Sequence, residues 1–233
     1  MVKLIDLRER PHQWGYFPEP VDGSRSSFLK ALAETEITKM SKYVELADVQ
    51  LIRSREDLPL FLEEMQAEYI CEVGVREGNN LKRMLVPCVR LAYAIDSWCG
   101  TTNISQNPNL YSQEQFDKWY QDVVEIALCD VRVRIIREFS PKAASLTFAT
   151  EDGLFDFVYI DSDHTEAGCW ADLNAWLPKV RAGGVLAGDD YVNATIGEMK
   201  FGVIEAVNRF VRERQLQLHI DSCPHANWYI PVP

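Results

Sequence analysis

Apolar positions change their spacing near Glu68. Downstream of it, short and nearly continuous apolar runs alternate with longer amphipathic ones. The runs Tyr69–Val73, Leu91–Ile95, Val131–Ile136, Phe155–Ile160, Gly184–Ala187, Leu216–Ile220 and Trp228–Val232 predict strands. The stretches between them, Asn79–Val86, Gln113–Leu128, Pro141–Ala149, Glu166–Lys179 and Lys200–Glu213, predict helices. Strands that are apolar throughout, rather than at every second residue, belong to a sheet covered on both faces. Strand–helix alternation gives right-handed crossovers and a mainly parallel sheet. The last two strands are separated by Asp221–Asn227 alone and predict an antiparallel hairpin. The expected class is α/β, doubly wound.

Upstream the pattern is different. Residues 1–25 are rich in Pro, Gly and aromatics and read as an irregular arm. Residues 26–68 show partial helical spacing through Leu29, Leu32, Ile37, Met40, Tyr43, Val44 and Ala47, with breaks near Ser54 and Pro59. The expected division is residues 1–68 as an arm with helices, serving as a cap or a dimer interface, and 69–233 as the main domain. The N-terminal helices thus offer a surface for a homo-oligomer.

Composition narrows the choice of ligand. A net charge of −11 argues against sequence-independent nucleic-acid binding, which needs clustered Lys and Arg. Residues 1–10 are charged throughout and predict no secretory leader, and no window reaches the length of a membrane span. The six cysteines form no CxxC pair, and Cys71, Cys88 and Cys129 lie in apolar stretches. Buried free thiols and a reducing, cytoplasmic setting are expected.

The first strand runs into Glu72-Val-Gly74-Val-Arg-Glu-Gly78-Asn-Asn, followed by a helix. Gly74 permits a tight turn, Gly78 permits close approach of a ligand, and the helix start presents free N–H groups. The GxxxG spacing differs from the GxGxxG of a dinucleotide pyrophosphate site, which disfavours a dehydrogenase. Glu72 would repel a pyrophosphate and suits a cationic amino-acid ligand. Asp96, at the end of the next strand, can take both hydroxyls of a ribose.

Two later strands end in acidic residues, as Tyr-Ile-Asp161-Ser-Asp163-His164 and Gly-Asp189-Asp190-Tyr. In open α/β sheets ligands sit at the carboxyl ends of the strands. Asp161, Asp189 and Asp190 are expected to converge there as hard oxygen ligands for Mg²⁺, Mn²⁺ or Ca²⁺. Without a cation they would repel one another. His164 and Asp163 are the candidate general bases for an acceptor hydroxyl.

From Tyr69 to about Arg214 the chain resembles class I S-adenosylmethionine-dependent methyltransferases. Within them it is most similar to the small-molecule O-methyltransferase branch that includes macrocin-type sugar methyltransferases. The matching segments are EVGVREGNN, AIDSW, FDFVYIDSDHTEAGCWADLNAWLPKVRAGGVLAGDDY and FGVIEAVNRF, and the long one is the distinctive one. The resemblance implies a seven-stranded sheet with its last strand antiparallel. It implies a site in which Glu72, Gly74 and Gly78 line the methionine part of the cofactor and Asp96 binds the ribose. Phe139 and Ser140 would lie near the adenine. Asp161 would count among both the cofactor contacts and the Mg²⁺ ligands, with Asp189 and Asp190 completing the metal set. The implied reaction is methyl transfer from S-adenosylmethionine to a hydroxyl of a small-molecule acceptor.

Two rival readings stay open. A metal-dependent hydroxylase on the same fold would use iron, which favours His ligands, and here only His164 is well placed. A catalytically inactive cofactor-binding module would keep the fold without the chemistry. The aromatics Trp14, Tyr16 and Phe17, together with Trp98, Tyr111, Phe116, Trp119 and Tyr120, either cover an acceptor pocket or pack the core. Phe116, Trp119 and Tyr120 have the helical spacing of packing residues.

Overall fold

The computed structural model describes residues 3–4, 46–50, 52–99, 111–196 and 199–233. The aromatic arm, the helical pattern of 26–45 and most of the 99–111 insertion lie outside these residues.

The strands are β1 (Lys3–Leu4), β2 (Tyr69–Val73), β3 (Leu91–Asp96), β4 (Val133–Arg137), β5 (Phe155–Ile160), β6 (Val180–Gly188), β7 (Thr195–Ile196), β8 (Met199–Lys200), β9 (His219–Ile220) and β10 (Trp228–Pro231). The helices are α1 (Leu46–Val49), α2 (Leu58–Glu64), α3 (Asn79–Met84), α4 (Gln113–Cys129), α5 (Ser140–Leu146), α6 (Glu166–Trp176) and α7 (Val203–Arg214). Short 3₁₀ turns at Arg55–Asp57 and Leu177–Lys179 precede α2 and follow α6.

The main sheet has the order β1-β4-β3-β2-β5-β6-β10-β9. Strands β4, β3, β2, β5 and β6 are mutually parallel. β10 pairs antiparallel with β6 and with β9, which is the expected terminal hairpin. All seven expected strands are present. Two further features were not expected. Lys3–Leu4 adds an antiparallel edge pair to β4, and Thr195–Ile196 forms a small hairpin with Met199–Lys200. Some boundaries shift as well. β6 begins at Val180, before the Gly-Gly pair, because Val180 pairs with Phe155 of β5 across an irregularity in the register.

Side chains alternate across each strand, so one strand feeds two cores. On one face Ile70, Ala92, Ala94, Phe157, Tyr159, Val185, Ala187 and Tyr229 pack with Leu58, Leu62, Leu81 and Val123. On the other face Cys71, Val73, Tyr93, Ile95, Val158, Ile160, Leu186 and Trp228 pack with Ala143, Leu173, Trp176, Val207 and Phe210. The described part of the N-terminal region belongs to the first core: Val49, Ile52, Leu58 and Leu62 are at most 1% exposed. Cys71 and Cys169 are buried free thiols, Cys88 is half-buried, and Cys129 is exposed at the end of α4, contrary to its apolar local sequence. Among the described residues no helix is long and apolar enough to cross a membrane.

The chain passes from β2 out through β3 to β4, then returns across to β5 on the opposite side of β2. That reversal opens a crevice at the carboxyl ends of β2 and β5, where α/β sheets place their ligands.

Candidate active site

The β2–α3 loop is built tightly against its neighbours. Gly74 has φ +86°, and a Cβ there would lie 1.9 Å from the Asp161 carbonyl oxygen. Gly74 N donates to Ile95 O at 2.8 Å, and Asp161 N donates to Val73 O at 2.7 Å. Gly74 thus lets the loop cross directly over the end of β5. Gly78 has φ +82°, and its missing Cβ would meet Ile126 Cδ1 at 2.5 Å. Close packing on α4 and the left-handed φ both call for glycine there.

Glu72 is 2% exposed. Its Oε1 accepts from Asn80 Nδ2 at 3.0 Å, while the buried Oε2 has no hydrogen-bond partner among the described residues. Burial pushes its carboxyl well above the usual carboxylate range. Asp96 is engaged by backbone. Its Oδ2 accepts from Val75 N at 3.0 Å and Arg76 N at 2.9 Å, and its Oδ1 from Trp98 N at 2.8 Å. Asp96 therefore shapes the glycine loop itself. Burial raises its carboxyl despite these three donors.

The acidic strand ends converge, although not as three aspartates. His164 Nε2 lies 3.2 Å from Asp161 Oδ1 and 3.0 Å from Asp190 Oδ2. Asp161, His164 and Asp190 form the group whose ligand atoms all lie within 4.8 Å of one another. Asp189 turns the other way and is paired with Arg55, while its buried Oδ1 has no hydrogen-bond partner among the described residues. β6 ends at Gly188 and Asp190 takes a left-handed backbone, φ +54°, so the chain turns between the two aspartates and sends them apart. Burial raises the Asp189 carboxyl to about 6, with Asp161 adding to the rise and Arg55 opposing it. Burial opposes charging of His164, but the Asp161 and Asp190 carboxylates outweigh it and raise the imidazole to about 10. The His164 ring is thus held between two carboxylates. Burial likewise works against Asp190, yet hydrogen bonds from His164 and His225 hold its carboxyl below the ordinary value.

Asp163 lies beside this group without joining it. Its Oδ1 accepts from Thr165 N at 2.9 Å and Thr165 Oγ1 at 2.8 Å, closing the turn into α6. Ser140 is also engaged: its hydroxyl donates to Asp172 and accepts from Trp176 Nε1 at 2.9 Å. Phe139, next to it on the rim, is 47% exposed.

Three residues at the site had no sequence signal. Arg55 reaches Asp189 from the turn before α2, with Nε 3.4 Å from Asn227 Oδ1 and its guanidinium 5.8 Å from the Tyr159 ring centroid. Asn227 and His225 come from the terminal hairpin. Of the aromatics in the 98–120 region, Trp98, Trp119 and Tyr120 are buried, as packing residues are. Tyr111, Phe116 and Trp119 pack edge to face. Arg76 lies over the Trp119 ring, 4.6 Å from its centroid.

Parallel strands carry a glycine loop and acidic residues at their carboxyl ends, as the resemblance to class I methyltransferases implies. The methyltransferase domain profile matches residues 71–191, more than half of the chain, and the chain belongs to that family. Among solved structures it is similar to an O-methyltransferase from Bacillus cereus in complex with S-adenosylhomocysteine, at 16% identity and TM-score 0.52, covering 88% of this chain and 87% of that one. A candidate O-methyltransferase from Klebsiella pneumoniae gives 16% identity and TM-score 0.52, over 88% and 86% of the two chains. A candidate caffeoyl-CoA O-methyltransferase from Staphylococcus aureus gives 12% identity and TM-score 0.53, over 90% and 93%. No curated protein matches the sequence.

Proposed function

We propose that this chain transfers the methyl group of S-adenosylmethionine to a hydroxyl oxygen of a small molecule, with a divalent cation held by Asp161, His164 and Asp190. The observation that carries the reading is the gathering of Glu72, Asp96 and Asp161 around one glycine loop at the topological switch of a methyltransferase fold, with Asp190 linked to Asp161 through His164.

Glu72, buried with one oxygen unpartnered among the described residues, suits the ammonium end of the cofactor's methionine part. Gly74 keeps the loop close over Asp161. Asp96 presents its carboxylate to the ribose while holding the loop. The Phe139–Ser140 rim faces the adenine, with Phe139 as the exposed ring. In the transfer, the bond between sulfur and methyl carbon breaks as the bond from acceptor oxygen to carbon forms, leaving S-adenosylhomocysteine. The chain's contribution is alignment of donor and acceptor.

The residues fit a cation. Two donor atoms each about 2.1–2.2 Å from an octahedral ion are about 3 Å apart, and the two His164 contacts are 3.2 and 3.0 Å. A set of two carboxylate oxygens and one imidazole nitrogen suits a first-row ion such as Mn²⁺ better than Ca²⁺. Such an ion would orient the acceptor and lower the pKa of its hydroxyl. In this reading His164 is a ligand and Asp163 a helix-start residue.

Calorimetric titration with S-adenosylmethionine, with and without Mn²⁺, tests both halves. Micromolar binding is expected, and Asp190→Ala should lose the response to Mn²⁺ while retaining cofactor binding. Absence of cofactor binding in either condition would overturn the methyl-transfer reading. Turnover against an acceptor panel that survives chelation unchanged would remove the cation from it.

A further inference from the structure

Asp172 lies outside the Asp161–His164–Asp190 group and takes no part in the transfer just described. It is nevertheless 2% exposed, with both carboxylate oxygens engaged. The Ser140 hydroxyl donates to Oδ1 and the Ser162 hydroxyl to Oδ2. Trp176, one turn further along α6, donates Nε1 to Ser140 Oγ at 2.9 Å. Ser140 opens α5 immediately after Phe139, on the rim beyond β4. Ser162 directly follows Asp161, on the rim beyond β5. One buried carboxylate therefore ties together two loops that approach the crevice from different strands.

This is an expensive way to fill space. A carboxylate taken out of water is unfavourable unless its oxygens are well satisfied, and an apolar side chain would pack α6 at lower cost. Hydroxyl donors fix direction as well as distance, because each hydrogen bond weakens steeply away from linearity. A carboxylate can take both serines at once, and its amide isostere can accept at one oxygen only.

We propose that Asp172 is a positioning residue for methyl transfer. Through Ser140 and Ser162 it sets the spacing between the rim that faces the adenine and the loop that carries Asp161 and His164. Cofactor affinity then depends on a side chain that touches neither cofactor nor acceptor. The inference rests on the cofactor reading above.

S-adenosylhomocysteine is the probe, titrated calorimetrically into the full chain and into Asp172→Asn, Ser140→Ala and the double variant. Thermal unfolding of each is measured in parallel. Asp172→Asn should weaken S-adenosylhomocysteine about tenfold, the scale of one lost hydrogen bond to a charged group, with no fall in melting temperature. Ser140→Ala should weaken it comparably, and should cost less in the Asp172→Asn background than alone, since both break one linkage. Should Asp172→Asn fold poorly, Ser140→Ala and Ser162→Ala each delete a single hydroxyl and carry the same test. Affinities within twofold of the parent, or additive losses that track a lowered melting temperature, would reduce Asp172 to a packing residue and overturn the proposal. A parent chain that binds no S-adenosylhomocysteine would overturn the cofactor reading itself.

Discussion

Asp96 holds the glycine loop through a single side chain. Three backbone N–H groups converge on its carboxylate. Asp96→Ala leaves them without that acceptor, at about 1–3 kcal/mol for each donor that stays buried. The expected outcome is a lower melting temperature together with weaker S-adenosylmethionine binding, read by calorimetry and thermal unfolding. Asp172 gives a pH test. Burial raises its carboxyl to about 6 despite the Ser140 and Ser162 donors, whereas an unfolded chain ionises near ~3.9. A raised acid favours the folded state at low pH, and that advantage is lost as pH climbs from about 4 to about 6. Relative to the parent, Asp172→Asn should therefore gain stability across that window and hold the gain above it. A melting-temperature difference that is flat from pH 4 to 7 would contradict the assignment. At this scale the sequence was informative in part. The acidic strand ends were readable, but the separation of Asp189 from Asp190 was not, because the chain leaves extended geometry after Gly188 and Asp190 has φ +54°. Arg55 was unreadable, because it meets Asp189 across 134 residues with no local pattern to mark it.

Elements were legible where burial enforces a period. The β2, β3 and β5 runs are apolar because both faces of the central sheet are covered, so their positions follow from hydrophobicity alone. The edge elements depart more. β9 contains His219–Ile220 only, although the apolar run begins at Leu216, because pairing with β10 reaches just those two residues. The β2–α3 loop offers the test at this scale. A Cβ at Gly74 would meet the Asp161 carbonyl oxygen at 1.9 Å while φ stays at +86°. Gly74→Ala must push the loop away from β5. Overpacking of this kind costs about 1–3 kcal/mol or more, and positive φ adds to it. A melting temperature lowered by several degrees and a loss of cofactor binding are expected. An unaffected variant would mean that the loop has slack the contact denies.

For the molecule as a whole, topology was readable because alternating strands and helices leave few right-handed arrangements. How the N-terminal region meets the terminal hairpin was not, because that contact is set by tertiary packing. His219 Nε2 lies 2.7 Å from Ile52 O, Ser222 N donates to Arg53 O at 3.2 Å, and Arg55 meets Asn227. The hairpin thus clasps the segment 52–55 that leads into α2. Trp228, Tyr229 and Ile230 are at most 1% exposed and contribute to both cores. Removing residues 219–233 would turn β6 into an edge strand and strip large side chains from both faces. Near-ultraviolet circular dichroism and thermal scans should then show loss of the cooperative transition. A truncated chain that melts like the parent would contradict this account.

The stacking of Arg76 on Trp119 has a practical side. Trp98 donates its indole N–H to Arg76 O at 2.8 Å, so two indoles, one under the guanidinium and one bonded to the backbone, are wired to the same residue of the glycine loop. Indole emission responds to nearby charge and to the polarity around the ring. Whatever settles on that loop should shift the protein's own fluorescence, so the chain carries a built-in optical gauge of occupancy that needs no label.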